Sequence, residues 1–307
     1  MIPTLLVVVS LTFFLTRMLP GDPALAILGP EAEADEIQLL RQEMGLDKSL
    51  LEQYVCYIAD VCRGNFGESY SYHQSVLSLI ISRIPNTLML TLTALIFSLV
   101  LGVGAGVLAA TRQNTVIDYC ISVVALLGVS MPVFWLALML ILQFSVKMNL
   151  LPVMGMGSME KGIGDVISHM LLPGLVLAVI PMGTFARTTR SSMIDVLGSD
   201  SIRCLRARGI RESKVIWIHG LKNALPPIVT VFGLQLAGTF AGAIVTEGIF
   251  SWPGMGTVIN TAINNRDYSL IQGAVLFIAI SFVFCNMLVD IFYMLLNPKV
   301  DFENGGH

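Results

Sequence analysis

Long apolar stretches alternate with short polar segments along this chain of 307 residues. A helix needs about 20 mostly apolar residues to cross the hydrocarbon of a bilayer. Backbone polar groups in lipid must be satisfied within the span, so each stretch of that length predicts a helix. Between Thr87 and Ala110, and again between Leu225 and Thr246, the chain carries no charged residue. Six stretches qualify, at approximately 2–19, 87–110, 121–146, 166–186, 225–246 and 270–296.

Proline and glycine modify this pattern. Pro132, Pro173 and Pro181 fall inside spans three and four and predict kinks there. The small residues Gly102, Gly104 and Gly106 favour close packing of span two against a neighbouring helix, with a solute path as the alternative. The first stretch lacks the basic leader and the cleavage site of a signal peptide, so we expect it to be a retained span.

Composition supports a membrane protein. Hydrophobic residues make up 55% of the chain and charged residues 13%, against about 25% charged residues in soluble proteins. This balance excludes a soluble enzyme and a disordered protein. The formal net charge of −3 leaves no basic field for a nucleic acid. The five cysteines and four histidines show no metal-ligand spacing, and we expect no metal, no cofactor and no catalytic residue.

The short loops predict the orientation of the chain, because basic residues concentrate on the cytoplasmic side. One side has three basic residues, Lys147, Lys161 and Arg266. The other side has ten, which predicts that both termini and the 187–224 segment are cytoplasmic in a bacterial inner membrane. The ten are Arg112, Arg187, Arg190, Arg203, Arg206, Arg208, Arg211, Lys214, Lys222 and Lys299.

The segment 20–86 is then outside, where it is acidic and patterned. A short helix from Glu36 to Met44 is predicted to stop at Gly45, and Asp47 is a candidate cap for a second helix. The chain thus divides into 1–86, which holds the first span and the outer segment, and 87–300, which holds five spans and the 187–224 loop. Residues 301–307 form a cytoplasmic tail.

The cytoplasmic segment 187–224 predicts two short helices broken at Gly209. Ser199 or Asp200 is the candidate cap of the first. The apolar side of the whole 187–224 segment consists of Ile202, Leu205, Ile210, Val215, Ile216, Trp217 and Ile218. Two interpretations stay open on this pattern alone: a loop that fixes topology or touches anionic lipid, and a docking surface for a cytoplasmic partner.

Several strings then match a known family in order along nearly the whole chain. Leu205-Arg206-Ala207-Arg208-Gly209 is similar to the Ala-Arg-Ala-Lys-Gly of its cytoplasmic loop, and His219 to Ala224 is similar to its His-Ala-Leu-Arg-Asn-Ala. Phe250-Ser251-Trp252-Pro253-Gly254-Met255-Gly256 matches its last outer loop. The chain resembles the first permease subunit of oligopeptide, dipeptide and nickel importers of the ATP-binding-cassette (ABC) class. It departs at Arg203, Cys204 and Leu205, which replace an acidic-Ala-Ala start.

The resemblance implies an all-α permease of the type I importer fold with six transmembrane helices. Its partners would be a second homologous permease, two cytoplasmic ATPase subunits and an extracytoplasmic binding protein, and no nucleic acid. The binding protein would deliver a di- or oligopeptide, nickel or a metal chelate. The chain contains no phosphate-binding Gly-x-x-x-x-Gly-Lys-Ser/Thr loop, which fits a non-catalytic subunit. The residues implied in coupling to the ATPase are Arg203, Leu205, Arg206, Ala207, Arg208 and Gly209.

The outer loop carries a second implied site. Trp252, Pro253 and Gly254 would form an outer gate or a contact for the binding protein, with an interfacial aromatic anchor as the plainer alternative. The rival to the whole assignment is a self-sufficient secondary transporter or channel. Such a protein is expected to carry paired charges within its spans or an inverted repeat, and the spans here are nearly free of charge.

Overall fold

A computed structural model describes residues 2–18, 22–29 and 31–296 of the chain, so the predicted 301–307 tail lies outside the described residues. The described chain is mostly helical, which confirms the all-α class. One hairpin of two-residue strands, β1 and β2, pairs Glu68 with Ser75 and Ser69 with Gln74. The elements are α1 Ile2–Met18, α2 Pro23–Leu28, α3 Ala34–Glu43, α4 Leu50–Cys62, β1 Glu68–Ser69, β2 Gln74–Ser75, α5 Val76–Thr111, α6 Val116–Ser130, α7 Val133–Leu140, α8 Ile163–Leu197, α9 Asp200–Ala207, α10 Glu212–Lys214, α11 Leu221–Ile249, α12 Met255–Asn264 and α13 Tyr268–Leu296. The described residues also form π-helical segments at Ile141–Lys147 and Val215–Gly220 and a 3₁₀ turn at Met159–Lys161.

Fewer than the six predicted spans are found when the described helices are counted by length and apolar composition. Four helices qualify, at Val76–Thr111, Ile163–Leu197, Glu212–Leu236 and Tyr268–Met287. The predicted third span is a pair of helices bent by 109°. The bend follows Met131, whose extended backbone (ψ 135°) is the conformation favoured before a proline. Counted as one span, the pair makes five.

The first predicted span is a shorter helix. Helix α1 has 17 residues, about 26 Å at 1.5 Å per residue, against roughly 30 Å of hydrocarbon. The described part of α1 is therefore shorter than the four helices above, and residue 19 lies outside the described residues.

The chain divides into two compact units, and the first comprises residues 1–87 and 253–283. Here α4 packs along α1, where Phe13 stacks on Tyr57 and the Tyr54 hydroxyl lies 2.7 Å from that of Ser10. The cap of α4 is Ser49 and not the predicted Asp47, because Ser49 forms a capping box with Glu52. Helix α3 ends before Gly45, which has a left-handed φ of 65°, as the sequence predicted.

Among the described residues, the second unit comprises 88–252 and 284–296. Its core forms where α8 packs against α5, α6 and α11. The predicted close packing holds at Gly102 and Gly106, where an added Cβ would lie 2.7 Å and 2.6 Å from backbone oxygens of α8. It does not hold at Gly104, whose Cβ position has no neighbour within 4 Å among the described residues.

Candidate coupling site

Helix α9 is the centre of the candidate site, and only Gly198 and Ser199 separate its first residue, Asp200, from the end of α8 at Leu197. Ser199 occupies the N-cap position, as predicted, but its hydroxyl donates to the carbonyl of Val196 (2.6 Å) and does not cap the helix. Ile202 is fully buried and anchors the helix to the rest of the unit. One turn of backbone thus joins a long span to a short amphipathic helix.

The end of α9 has the geometry predicted at Gly209. The glycine has a φ of 76°, a conformation that costs other residues about 1 kcal/mol or more. Its N–H donates to the carbonyl of Arg206 (2.9 Å), and the N–H of Ile210 donates to that of Leu205 (3.3 Å). This pair of bonds is a Schellman motif, which closes the helix and turns the chain.

An ion pair connects α9 to α10 across this turn. The Arg206 guanidinium donates to both carboxylate oxygens of Glu212, at 3.2 and 2.7 Å. The hydrogen bond to this carboxylate raises the pKa of Arg206 above its ordinary value, so the arginine stays charged. Both side chains are about half exposed, so the pair orients the two helices and adds little stability.

The six residues implied in coupling lie together on α9 and its cap. Leu205 is half-buried, whereas Arg203, Arg206, Ala207, Arg208 and Gly209 are exposed. Between the arginines, Ala207 leaves a flat patch without a long side chain. The exposed face of α9 is therefore a small basic surface with a short-residue centre, on a helix about 12 Å long.

The ends of three long helices, α5, α8 and α11, meet in an apolar cluster. Val107, Ala110, Met193 and Ala224 form it, with Ile216 and Leu221 packed against it. Val215 is also fully buried. The predicted apolar side is wrong at Trp217 and Ile218, which are more than half exposed. Four successive residues of a helix cover about 300° around its axis, so Val215 to Ile218 cannot all lie on one face.

A buried ion pair beside the site was missed by the sequence reasoning. The Arg190 guanidinium on α8 donates to both oxygens of Asp118 on α6, at 2.5 and 2.8 Å. The Asp118 side chain is 1% exposed and also accepts from the N–H of Asn114 (3.0 Å). The sequence pattern identifies Arg190 only as one of the ten basic residues that predict orientation. The signal that could have revealed its partner was a carboxylate placed directly before an apolar stretch.

The second implied site, at the outer loop, falls in both compact units. In the second unit, Trp252 is 0% exposed and packs among Leu90, Leu177 and Ala243. Its backbone N–H donates to the carbonyl of Glu247 (2.9 Å). The indole is therefore covered by protein, and a docked partner would have to move other atoms to touch it.

In the first unit, Pro253 and Gly254 belong to a turn fixed by residues of α5. The side-chain amide of Asn86 donates to the carbonyl of Pro253 (2.7 Å), and the N–H of Met255 donates to the hydroxyl of Thr87 (2.8 Å). Gly254 is buried and Pro253 half-buried. Among the described residues, no group of three His, Cys, Asp or Glu side chains is placed to hold a metal ion.

Comparison with known proteins matches both parts of the chain to one family. Residues 102–302 match the binding-protein-dependent transport system inner membrane component, and residues 1–91 match its N-terminal part. The di/tripeptide transport system permease protein DppB of Pseudomonas aeruginosa is 39% identical over 98% of this chain and 96% of its own length. The glutathione transport system permease protein GsiC of Escherichia coli K12 is 39% identical over 99% and 96%.

A solved structure shows the same fold. The inward-facing MetNI methionine ABC transporter superposes with a TM-score of 0.54 at 17% identity, over 72% of this chain and 97% of that one. At this identity the match concerns the fold alone, and it confirms the type I permease architecture. The chain belongs to the family of inner-membrane permease components of binding-protein-dependent ABC importers, and it is a non-catalytic, multi-pass subunit.

Proposed function

We propose that this chain is the permease subunit of a peptide importer and that α9 transmits ATP hydrolysis to the spans. Its cargo is a di- or oligopeptide delivered by an extracytoplasmic binding protein. The cargo class is supported by the relatives, since one is named for di/tripeptides and another for glutathione, itself a tripeptide. No feature of the described residues favours nickel over a peptide.

The observation that carries the proposal is that α9 is held in a fixed position in its unit. Ile202 buries one side of the helix, and Gly209 closes its end with a fixed turn. Its exposed face is basic and has Ala207 at its centre. A loop that only fixes topology needs charge but no fixed helix, whereas a docking surface needs both.

The mechanism follows from the connection between α9 and α8. Two ATPase subunits bind below this chain and a second, homologous permease, and their closure on ATP moves α9 as a rigid body. Because one turn separates α9 from α8, and Arg190 of α8 is paired to Asp118 of α6, the movement reaches two spans together. The spans then change between inward-facing and outward-facing access, a two-state change driven by a distant ligand.

The outer end is where this change opens the path. The burial of Trp252 supports a gate, because a covered indole closes a space that has to open for cargo. Contact with the binding protein is supported for Pro253, which is partly exposed. The ten-to-three distribution of basic residues supports a cytoplasmic position for both termini and for the 187–224 segment.

The test is Ala207→Glu in the complete importer, reconstituted in proteoliposomes with both permeases, the ATPases and the binding protein. A charged side chain on the flat patch should lower ATP-dependent dipeptide uptake and binding-protein-stimulated ATP hydrolysis, each by about tenfold. Gln113→Glu is the matched control, since it adds the same charge at an exposed position between α5 and α6. Normal uptake and normal stimulated hydrolysis in the Ala207 variant would overturn the proposal.

A further inference from the structure

Residues 154–158, called the 154–158 loop below, lie against the chain at the end of α11. The N–H of Gly155 donates to the carbonyl of Phe250 (2.8 Å). Beside this bond, the hydroxyl of Ser251 donates to the sulfur of Met154 (3.7 Å). Two adjacent residues of the loop therefore hold two adjacent residues of the segment that leads to the proposed gate.

The next residue of the 154–158 loop reaches the gate itself. Met156 is partly buried and packs against the apolar cluster that contains Trp252, Leu90 and Leu177. A methionine side chain is flexible and fills irregular gaps, so it keeps contact when the packing around it changes. The loop thus contacts both the backbone before Trp252 and the cluster in which the indole is buried.

The other end of the 154–158 loop is attached to α8. Asp165 lies in the first turn of that helix, where its Oδ2 accepts from the N–H of Ser158 (2.7 Å). At Gly157, an added Cβ would lie 2.8 Å from the same oxygen and 2.9 Å from Nδ1 of His169. His169 is fixed in turn, since its Nδ1 donates to the carbonyl of Asp165 (2.7 Å). The loop is therefore in tight contact with the beginning of α8.

Helix α8 connects this attachment to the coupling helix. It is continuous from Ile163 to Leu197, although it contains Pro173 and Pro181, and it is about 52 Å long at 1.5 Å per residue. Its first turn holds the 154–158 loop, and only two residues separate its end from α9. A displacement of α9 therefore reaches the loop through a single helix.

We infer that the 154–158 loop links α8 to the gate and that Asp165 is the positioning residue of this link. The inference rests on the proposed function. When α9 moves with the ATPase, α8 draws the loop along through Asp165, and the loop draws the segment that carries Trp252 away from its cluster. The indole then uncovers the space that the cargo enters. Asp165 acts through Ser158 and the loop, and not on the cargo.

The experiment measures dipeptide uptake and binding-protein-stimulated ATP hydrolysis in the same proteoliposomes of the complete importer. Asp165→Ala removes the acceptor for the Ser158 N–H, so uptake should fall about tenfold while hydrolysis continues at the wild-type rate. Asp165→Asn keeps an oxygen that accepts this bond and should restore most of the uptake. Glu160→Ala is the matched control, since it removes a carboxylate from an exposed position just beyond the loop, and it should change neither quantity.

A second pair of variants tests the gate end of the link. Met156→Ala should lower uptake about fivefold without slowing hydrolysis, whereas Met159→Ala should leave both unchanged because Met159 is 68% exposed. Normal uptake in Asp165→Ala or Met156→Ala, an equal loss of uptake and hydrolysis, or no rescue by Asp165→Asn would each overturn the inference.

Failure of the link is distinguishable from failure of the proposed function. Ala207→Glu should lower uptake and hydrolysis together, because it acts where the ATPase docks. A normal Asp165→Ala variant beside an impaired Ala207→Glu variant would refute the link alone, whereas a normal Ala207→Glu variant would refute the proposed function.

Discussion

Alanine substitutions at two glycines of α5 should change the free energy of unfolding in opposite directions. Gly106 lies, like Gly102, against α8, whereas Gly104 lies between them and has no close neighbour among the described residues. In Gly106→Ala, the new Cβ would lie 2.6 Å from the carbonyl oxygen of Ala186 and 2.6 Å from Cβ of Thr189. Both atoms belong to α8, and the first is backbone, so the helices must separate by about 0.8 Å to restore a normal contact of about 3.4 Å. Overpacking of this kind costs about 1–3 kcal/mol.

Gly104→Ala is the matched variant, two residues away on the same helix. Its added methyl group meets no described atom within 4 Å, while alanine favours the helix over glycine by about 0.5–1 kcal/mol. The helix gain is common to both variants and cancels in the comparison, so the two differ by about 1–3 kcal/mol in the free energy of unfolding, with Gly106→Ala the less stable.

The assay is reversible unfolding of the purified chain in mixed micelles with increasing sodium dodecyl sulfate, followed by tryptophan fluorescence. Gly106→Ala should unfold at a lower detergent fraction than the wild type and Gly104→Ala at an equal or higher one. Because α8 continues within one turn into α9, Gly106→Ala should also weaken stimulated ATP hydrolysis in the complete importer. Equal unfolding of both variants would refute the packing argument.

Three further variants test other contacts. Asp118→Asn should lower the free energy of unfolding by about 2–3 kcal/mol. This is less than the roughly 3–5 kcal/mol for breaking a fully buried ion pair, because the Arg190 side chain is 32% exposed. A double-variant cycle that shows no coupling between Asp118 and Arg190 would contradict this. Gly209→Ala should destabilise by about 1 kcal/mol through its left-handed φ, and an unchanged unfolding curve would show that the turn relaxes freely. Trp252→Ala should cost about 3–5 kcal/mol by leaving a cavity in its apolar cluster, whereas a loss under 1 kcal/mol would mean that the indole is not packed as described.

Apolar length and charge were enough to place the long helices. The uncharged stretch after Thr87 lies entirely within α5, and the break at Gly209 has the predicted left-handed backbone. Both signals are local: a span depends on its own hydropathy, and a helix end depends on one residue without a Cβ. The bend at Pro132 follows in the same way from the extended backbone that proline favours in the residue before it, although its size of 109° does not.

Features that depend on contacts between distant residues were not predictable. The pairing of Asp118 with Arg190 joins positions 72 apart, and no spacing rule connects them. The burial of Trp252 depends on three other helices. Trp217 was expected on the apolar side, but it lies about half a turn around the helix from the buried Val215 and is exposed. This error was avoidable, because helical periodicity applied residue by residue separates the two positions.

The coupling residues were found by their resemblance to a family and were then placed by the structure on one short helix. Nothing in their spacing alone distinguished a docking surface from a topology loop. The structure adds that this helix is held in place, because Ile202 is buried and Gly209 closes the helix end with a fixed turn. The cargo stays a proposal because no described cavity in the second unit identifies a peptide.

The central claim is that α9 docks on the ATPase, and the exposed thiol of Cys204 on that helix allows a direct measurement. In a chain whose other four cysteines are serine, a short thiol-reactive crosslinker should join Cys204 to the ATPase subunit in inverted membrane vesicles. The product should be absent from a chain that also carries Cys204→Ser. Labelling of Cys204 by an impermeant maleimide from the outside of intact cells, with no adduct to the ATPase, would contradict the account.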